Sequence, residues 1–175
     1  MVDLQYPIGP FSLASLEFSP ELRQQRIETI STFPRRFREA LDGIQERELE
    51  QPYRPGGWTI RQVVHHVPDS HMNAYVRFKW TLSEDTPMIK PYDQEAWANL
   101  PDTKGPIAVS LALLDSLHER WVALLHGMTD ADFTRVFLHP EHDGRISLDA
   151  ALANYAWHGD HHLAHVKLAR TSATE

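Results

Sequence analysis

The amino-acid sequence predicts an all-α protein, a four-helix bundle with long interhelical connections. Four long segments repeat apolar residues at helical spacing, and the stretches between them carry proline, glycine and charge but few strand signals. The length of 175 residues suits one hydrophobic core, so residues 1–175 are expected to form a single domain.

Residues 1–18 hold Pro7, Gly9 and Pro10 without sustained periodicity and predict an extended N-terminal arm on the surface. Ser19-Pro20-Glu21 announces the first helix, because serine caps, proline fits the first turn and glutamate favours the positive helix end. This helix is expected over about 20–42, kinked or split at Pro34. A connector over 46–57 follows, and Thr59-Ile60-Arg61-Gln62 matches a capping box that opens the second helix. Ile60, Val63, Val64, Val67, Ala74 and Phe78 define its buried face to about residue 82.

Residues 83–104 contain Pro87, Pro91 and Pro101 and read as a long loop with a short helical turn near 95–100. Pro106 opens the third helix, in which Ile107, Leu111, Leu114, Leu117, Trp121, Leu124 and Leu125 sustain helical periodicity to about residue 128. Thr129-Asp130-Ala131-Asp132 predicts one capped turn, and Pro140 with Asp143-Gly144 marks a turn or irregular hairpin. Ser147 caps the fourth helix, which Leu148, Leu152, Tyr155, Val166 and Ala169 carry to about residue 170. With four amphipathic helices, an antiparallel arrangement is the expectation.

Composition excludes several classes of function. A net charge of −7 gives no broad attraction to nucleic acid or to anionic lipid. The basic run Arg35-Arg36-Phe37-Arg38 is broken by an aromatic and flanked by Glu39, as on a solvated helix face. Without cysteine, disulfides, thiolate metal sites and thiol nucleophiles are all absent. No secretory leader and no stretch of about 18 apolar residues is seen, so a cytoplasmic protein with no membrane partner is expected.

Histidine is the outlier: there are 11, with three in 65–71 and four in 158–165. The second cluster contains two pairs at i,i+4 spacing, His158 with His162 and His161 with His165, and each pair shares one helical face. On a wheel of about 100° per residue, His162 and His158 lie about 40° and 80° from the apolar stripe, whereas His165 and His161 lie about 100° and 140° away. The inward pair is therefore His158 and His162, two imidazoles able to grip one ion.

A third ligand would come from His65, His66 or His71. The wheel favours His71, about 20° from the stripe, against about 120° for His66 and 140° for His65. His71 reads more readily as a core histidine bonded to a partner than as a ligand, and Pro68 lies between the candidates and can shift the helix's phase. Three neutral nitrogen ligands would leave a position for water or substrate, and zinc or nickel suits such donors. The HExxH protease pattern is absent because Gly159 stands where its glutamate would be. Asp69, Asp93, Glu95 and Asp160 lie near the clusters, but surface solvation accounts for them and no residue is assigned as catalytic. Trp58, Trp97, Trp121 and Trp157 suit either a pocket wall or the core.

These residues form a recognisable series. Tyr6-Pro7-Ile8-Gly9, the run from Tyr53 to His66, Asp69-Ser70-His71-Met72-Asn73, Lys90-Pro91-Tyr92-Asp93 and the 157–165 segment resemble the YfiT-type branch of the DinB-like superfamily over nearly the whole chain. The resemblance implies a DinB-like four-helix bundle, a homodimer, with one divalent metal ion per subunit on His66, His158 and His162. It thus selects His66 where the wheel selects His71. Pro68 departs from the family pattern and predicts a bend beside His66, with helical geometry disfavoured at Val67.

Members of the branch are described as candidate metal-dependent hydrolases, and relatives elsewhere in the superfamily transfer low-molecular-weight thiols. The expected activity is hydrolysis of a small-molecule substrate by a water that the metal activates. The alternatives are metal-dependent transfer of a thiol of the bacillithiol type and non-catalytic metal or ligand binding.

Overall fold

The computed structural model describes residues 3–141 and 144–172. In chain order its elements are α1 (Pro20–Ala40), α2 (Glu46–Leu49), α3 (Ile60–Ser83), α4 (Gln94–Trp97), α5 (Ile107–His126), α6 (Asp130–Phe133), β1 (Val136–Leu138), β2 (Arg145–Ser147) and α7 (Leu148–Ser172). Single 3₁₀ turns at Leu13–Ser15 and Pro101–Lys104 complete the list. The strands pair antiparallel with Phe137 opposite Ile146, so the expected hairpin forms. The turn expected at Asp143 lies outside the described residues.

Local chemistry starts each long helix where expected. Ser19 Oγ accepts from Leu22 N at 3.2 Å, with Pro20 in the first turn. Thr59 and Gln62 close a reciprocal capping box at 3.2 and 3.1 Å, and Ser147 Oγ accepts from Ala150 N at 3.1 Å. Such caps are typically worth about 1 kcal/mol each. The 46–57 connector contains the helical turn α2, which apolar spacing did not reveal because only Leu49 is buried in it.

Neither internal proline divides its helix. Pro34 is buried inside an unbroken α1, so the expected split does not occur, and Pro68 lies inside an unbroken α3 that keeps Val67 helical, against the expectation at that residue. Each proline deletes one backbone hydrogen bond, but its neighbours are locked by packing: Phe33 and Phe37 on α1, and Val64 and Val67 on α3, are 0 or 1% exposed.

The four long helices form a ring in which α1 packs on α7 and α5, and α3 packs on α5 and α7. Two neighbouring pairs run parallel, correcting the antiparallel expectation. Arg23 reaches Asp149 near the starts of α1 and α7, and Arg170 reaches the Ala40 carbonyl near their ends. His65 meets Ser110, and Phe78 meets Trp121, so α3 and α5 also run together. The pairs α1 with α5 and α3 with α7 run antiparallel, as Arg38 with Asp115 and Arg77 with Tyr155 show. The long connections make this possible, because they can return the chain to the same end of the bundle.

Two apolar clusters fill the interior. One contains Ile30, Phe78, Trp121, Leu148 and Leu152, the other Phe37, Val63, Val67, Leu114 and Val166. In sequence, His71 separates Val67 from Ala74, His118 separates Leu114 from Trp121, and His158 separates Tyr155 from Leu163. A histidine layer thus divides the core. The basic run on α1 is consumed by ion pairs, Arg35 with Glu39 at 2.7 Å and Arg36 with Asp160 at 2.6 Å, beside Arg38 with Asp115. Among the described residues no helix is long and apolar enough to cross a membrane.

Candidate metal centre

The antiparallel pair α3 and α7 brings His66 against His158 and His162. One ring nitrogen from each of the three lies within 4.8 Å of the others. Nε2 of His66 and Nε2 of His158 are 3.3 Å apart. Two nitrogens bound tetrahedrally at about 2.0–2.1 Å to one ion would stand about 3.3–3.4 Å apart, so the His66–His158 pair already has the separation that a small divalent cation needs, with His162 close beside it.

Burial lowers the proton affinity of all three rings. The His66 pKa is pushed down to about 4 by burial with a smaller contribution from His161, and burial holds His158 and His162 well below the ordinary histidine value. Neutral imidazoles carry the lone pair that a metal requires. Trp58 meets His66 edge-on with ring centroids 4.7 Å apart and lies nearly parallel to His162 at 6.4 Å. These contacts restrict the rotation of the rings.

His71 does not join the cluster. It is fully buried, with Nδ1 2.7 Å from His118 Nε2 and Nε2 3.1 Å from His158 Nδ1. It is a core histidine with bonded partners, one of the two readings its position allowed. The wheel misranked His65 and His66 because α3 is enclosed on several sides: both are buried, and His65 bonds Ser110 Oγ at 2.7 Å and lies 3.1 Å from the Gly105 carbonyl.

The outward pair on α7 is also covered. Tyr53 stacks on His165 at 3.8 Å, Tyr6 and Trp157 stack on His161, and His165 Nε2 lies 3.2 Å from the Gln5 carbonyl. The N-terminal arm supplies Tyr6 and Gln5 to this cover, and Trp157 Nε1 donates to its Gly9 carbonyl at 3.1 Å. Gly159 has a packing role: a Cβ there would sit 2.9 Å from the Phe33 ring.

Two cavities reach the centre. One of about 360 Å³ is lined by Tyr6, Tyr53, Arg54, Trp58, His158 and His162, the other of about 670 Å³ by Ser70, Arg77, Tyr92, Tyr155 and His158. Glu95 borders both, with its carboxylate accepting from Trp58 Nε1 at 2.8 Å. Of the other acids considered, Asp160 is bound to Arg36 and Asp93 caps α4, accepting from Ala96 N at 2.9 Å. Asp69 is half-buried, and its pKa is raised to about 6 by burial and then by Asp102. Of the tryptophans, Trp58 and Trp157 line the smaller cavity, Trp121 is core and Trp97 packs on Tyr92.

His118 and Glu95 were the residues least legible from spacing. His118 continues the Leu111, Leu114, Trp121 stripe and so could have been placed inside the bundle. Glu95 gave no such signal, because the single helical turn α4 that carries it has no buried residue and so no apolar stripe.

A histidine-lined cleft between helices of a bundle defines a class of candidate metalloproteins. The family follows from comparison: the model of the DinB superfamily matches residues 29–166, and the chain belongs to that superfamily. A relative from Bacillus mycoides strain KBAB4, named "Putative metal-dependent hydrolase", is 50% identical over 166 residues, 95% of each chain. One from Bacillus cereus strain B4264 carries the same description and is 49% identical over the same shares. The solved structure of YfiT from Bacillus subtilis, described as "a probable metal-dependent hydrolase with an unusual four-helix bundle topology", is 45% identical. It superposes with a TM-score of 0.92 over 97% of this chain and 98% of its own.

Proposed function

We propose that this protein is a metal-dependent hydrolase of a small-molecule substrate, with His66, His158 and His162 holding one divalent ion, zinc or nickel. The observation that carries the proposal is the convergence of three neutral imidazoles, His66 and His162 buried and His158 half-buried, beside open cavities. The names of the relatives point the same way. A divalent ion at this position supplies Lewis acidity, lowering the pKa of water or polarising a carbonyl.

The chain's own residues supply the surroundings. His158 and His162 face the smaller cavity, where the Trp58 and Tyr53 side chains exclude water from part of the wall. Glu95 is the carboxylate placed to accept a proton from a group held there, since it borders both cavities. A homodimer belongs to the same reading and is checked by sedimentation velocity.

Elemental analysis and turnover on a panel of esters, amides and phosphoesters test the function. About one ion per chain and metal-dependent turnover are expected, with both lost in His162→Ala. Full turnover by a metal-free His162→Ala protein would overturn the reading. Glu95→Gln should retain its metal while kcat falls roughly 10²-fold or more, the usual scale for a proton-transfer group. Unchanged kcat in that variant would remove Glu95 from the mechanism.

A further inference from the structure

A line of hydrogen bonds crosses the whole bundle and uses one residue from each long helix. His158 Nδ1 on α7 lies 3.1 Å from His71 Nε2 on α3. His71 Nδ1 lies 2.7 Å from His118 Nε2 on α5, and His118 Nδ1 lies 2.8 Å from the Ile30 carbonyl on α1. His71 and His118 are 0 and 2% exposed, and among the described residues no carboxylate hydrogen-bonds either ring. Charged rings would be costly there, so both are neutral.

The carbonyl at the far end gives the line a direction. A carbonyl only accepts, so His118 carries its proton on Nδ1 and offers a lone pair at Nε2. His71 must then donate from Nδ1 and accept at Nε2, and His158 must donate from Nδ1. The last consequence is a lone pair on His158 Nε2, the atom 3.3 Å from His66 Nε2 and 3.4 Å from Ser70 Oγ, a hydroxyl able to donate to it. Reversing the line would put a proton on that atom and block it.

Pro34 explains why the carbonyl is available. In α1 the Ile30 carbonyl would ordinarily accept from the backbone N–H four residues later, but that residue is Pro34, which has none. The helix stays intact, and the freed acceptor is taken by His118. The same proline that was expected to kink or split α1 therefore provides the anchor of the line.

We infer that His71 and His118, anchored on the carbonyl that Pro34 frees, are positioning residues that hold His158 in the tautomer competent to bind metal. This rests on the metal reading above only for its consequence, since the tautomer exists in the metal-free chain. Phe33 packs on both rings, at 5.5 Å from His71 and 5.7 Å from His118, and keeps the line dry.

The test has two parts. Imidazole ¹⁵N NMR of the full-length metal-free protein should show His158, His71 and His118 all protonated on Nδ1, and a proton on His158 Nε2 would overturn the inference. Zinc affinity, measured by competition with a chromophoric chelator, should fall roughly 10- to 100-fold in His118→Phe, the usual cost of losing a partner behind a metal ligand. His118→Gln, which keeps an acceptor facing His71, should recover most of that loss. A general packing defect would not be rescued this way. Pro34→Ala, which retains every imidazole and restores the competing N–H, should weaken zinc binding in the same direction by less. Wild-type affinity in a folded His118→Phe protein would overturn the positioning role. If wild-type protein bound no zinc or nickel while the NMR pattern held, the metal reading would fail and the tautomer assignment would stand.

Discussion

At the scale of single residues, the environment rather than the residue type decides which side chain is available for chemistry. His66 and His71 are buried imidazoles and His158 a half-buried one, yet His71 spends both nitrogens on neighbouring histidines, whereas His158 uses only Nδ1 in that line and turns Nε2 toward His66. Asp69 shows the opposite effect of burial on an acid. Its folded carboxyl holds a proton to about pH 6, above the ordinary value near 3.8. Between about pH 4 and 6 the folded chain therefore binds more of this proton than the unfolded one, and the contribution of Asp69 to stability is lost as pH rises through that window. Asp69→Asn should be more stable than wild type at pH 7 by about 1 kcal/mol, after discounting the roughly 1.4 kcal/mol per pKa unit for partial solvent exposure. The advantage should vanish below about pH 4, as urea unfolding at the two pH values would show. A wild type more stable than Asp69→Asn at pH 7 would contradict this.

At the scale of elements, backbone and close-packing features matter more than apolar periodicity. Gly159 occupies the middle of α7, where glycine costs about 1 kcal/mol in helix propensity relative to alanine. Its compensation is the approach of α1, since a Cβ would meet Phe33 at 2.9 Å. Gly159→Ala should thus lower stability by about 1–2 kcal/mol, overpacking exceeding the propensity gain. Because Phe33 also packs on His71 and His118, zinc affinity should weaken with it. Thermal denaturation and chelator competition on the same sample check both, and a higher Tm in the variant would show that Phe33 moves aside freely. The capping residues were legible in the sequence because a cap depends on three adjacent positions. The helix continues through Pro34 and through Val67 before Pro68 because tertiary packing offsets the local cost, and at Pro34 the lost donor creates a bond elsewhere.

At the scale of the whole molecule, the concentration of buried histidines makes folding sensitive to acid. His65, His66, His71, His118, His158, His161, His162 and His165 all have pKa values lowered by burial, four of them to about 4. A depressed folded pKa contributes stability that is present above the unfolded value near 6.5 and lost as pH falls toward the folded one. Metal-free protein should therefore unfold cooperatively between about pH 6 and 4, well above the range set by carboxylates, and far-UV circular dichroism would follow it. Full retention of helix at pH 4 would show that these rings charge without cost. Added zinc should raise the Tm at pH 7, because an ion that binds only the folded chain shifts the equilibrium toward it.

The four helices, their caps and the inward HxxxH pair follow from the chain alone, since periodicity and capping are local properties in which a residue's neighbours in sequence are also its neighbours in space. Tertiary structure decided the rest. Whether helices run parallel or antiparallel depends on connections that carry little periodic signal, and the exposure of His65, His66, His161 and His165 depends on what covers them from outside their own helices. The resemblance of the ordered motifs singled out His66, but only the crossing of α3 over α7 shows why: it brings Nε2 of His66 to within 3.3 Å of Nε2 of His158, while His71 faces the other way into the line that ends at Ile30.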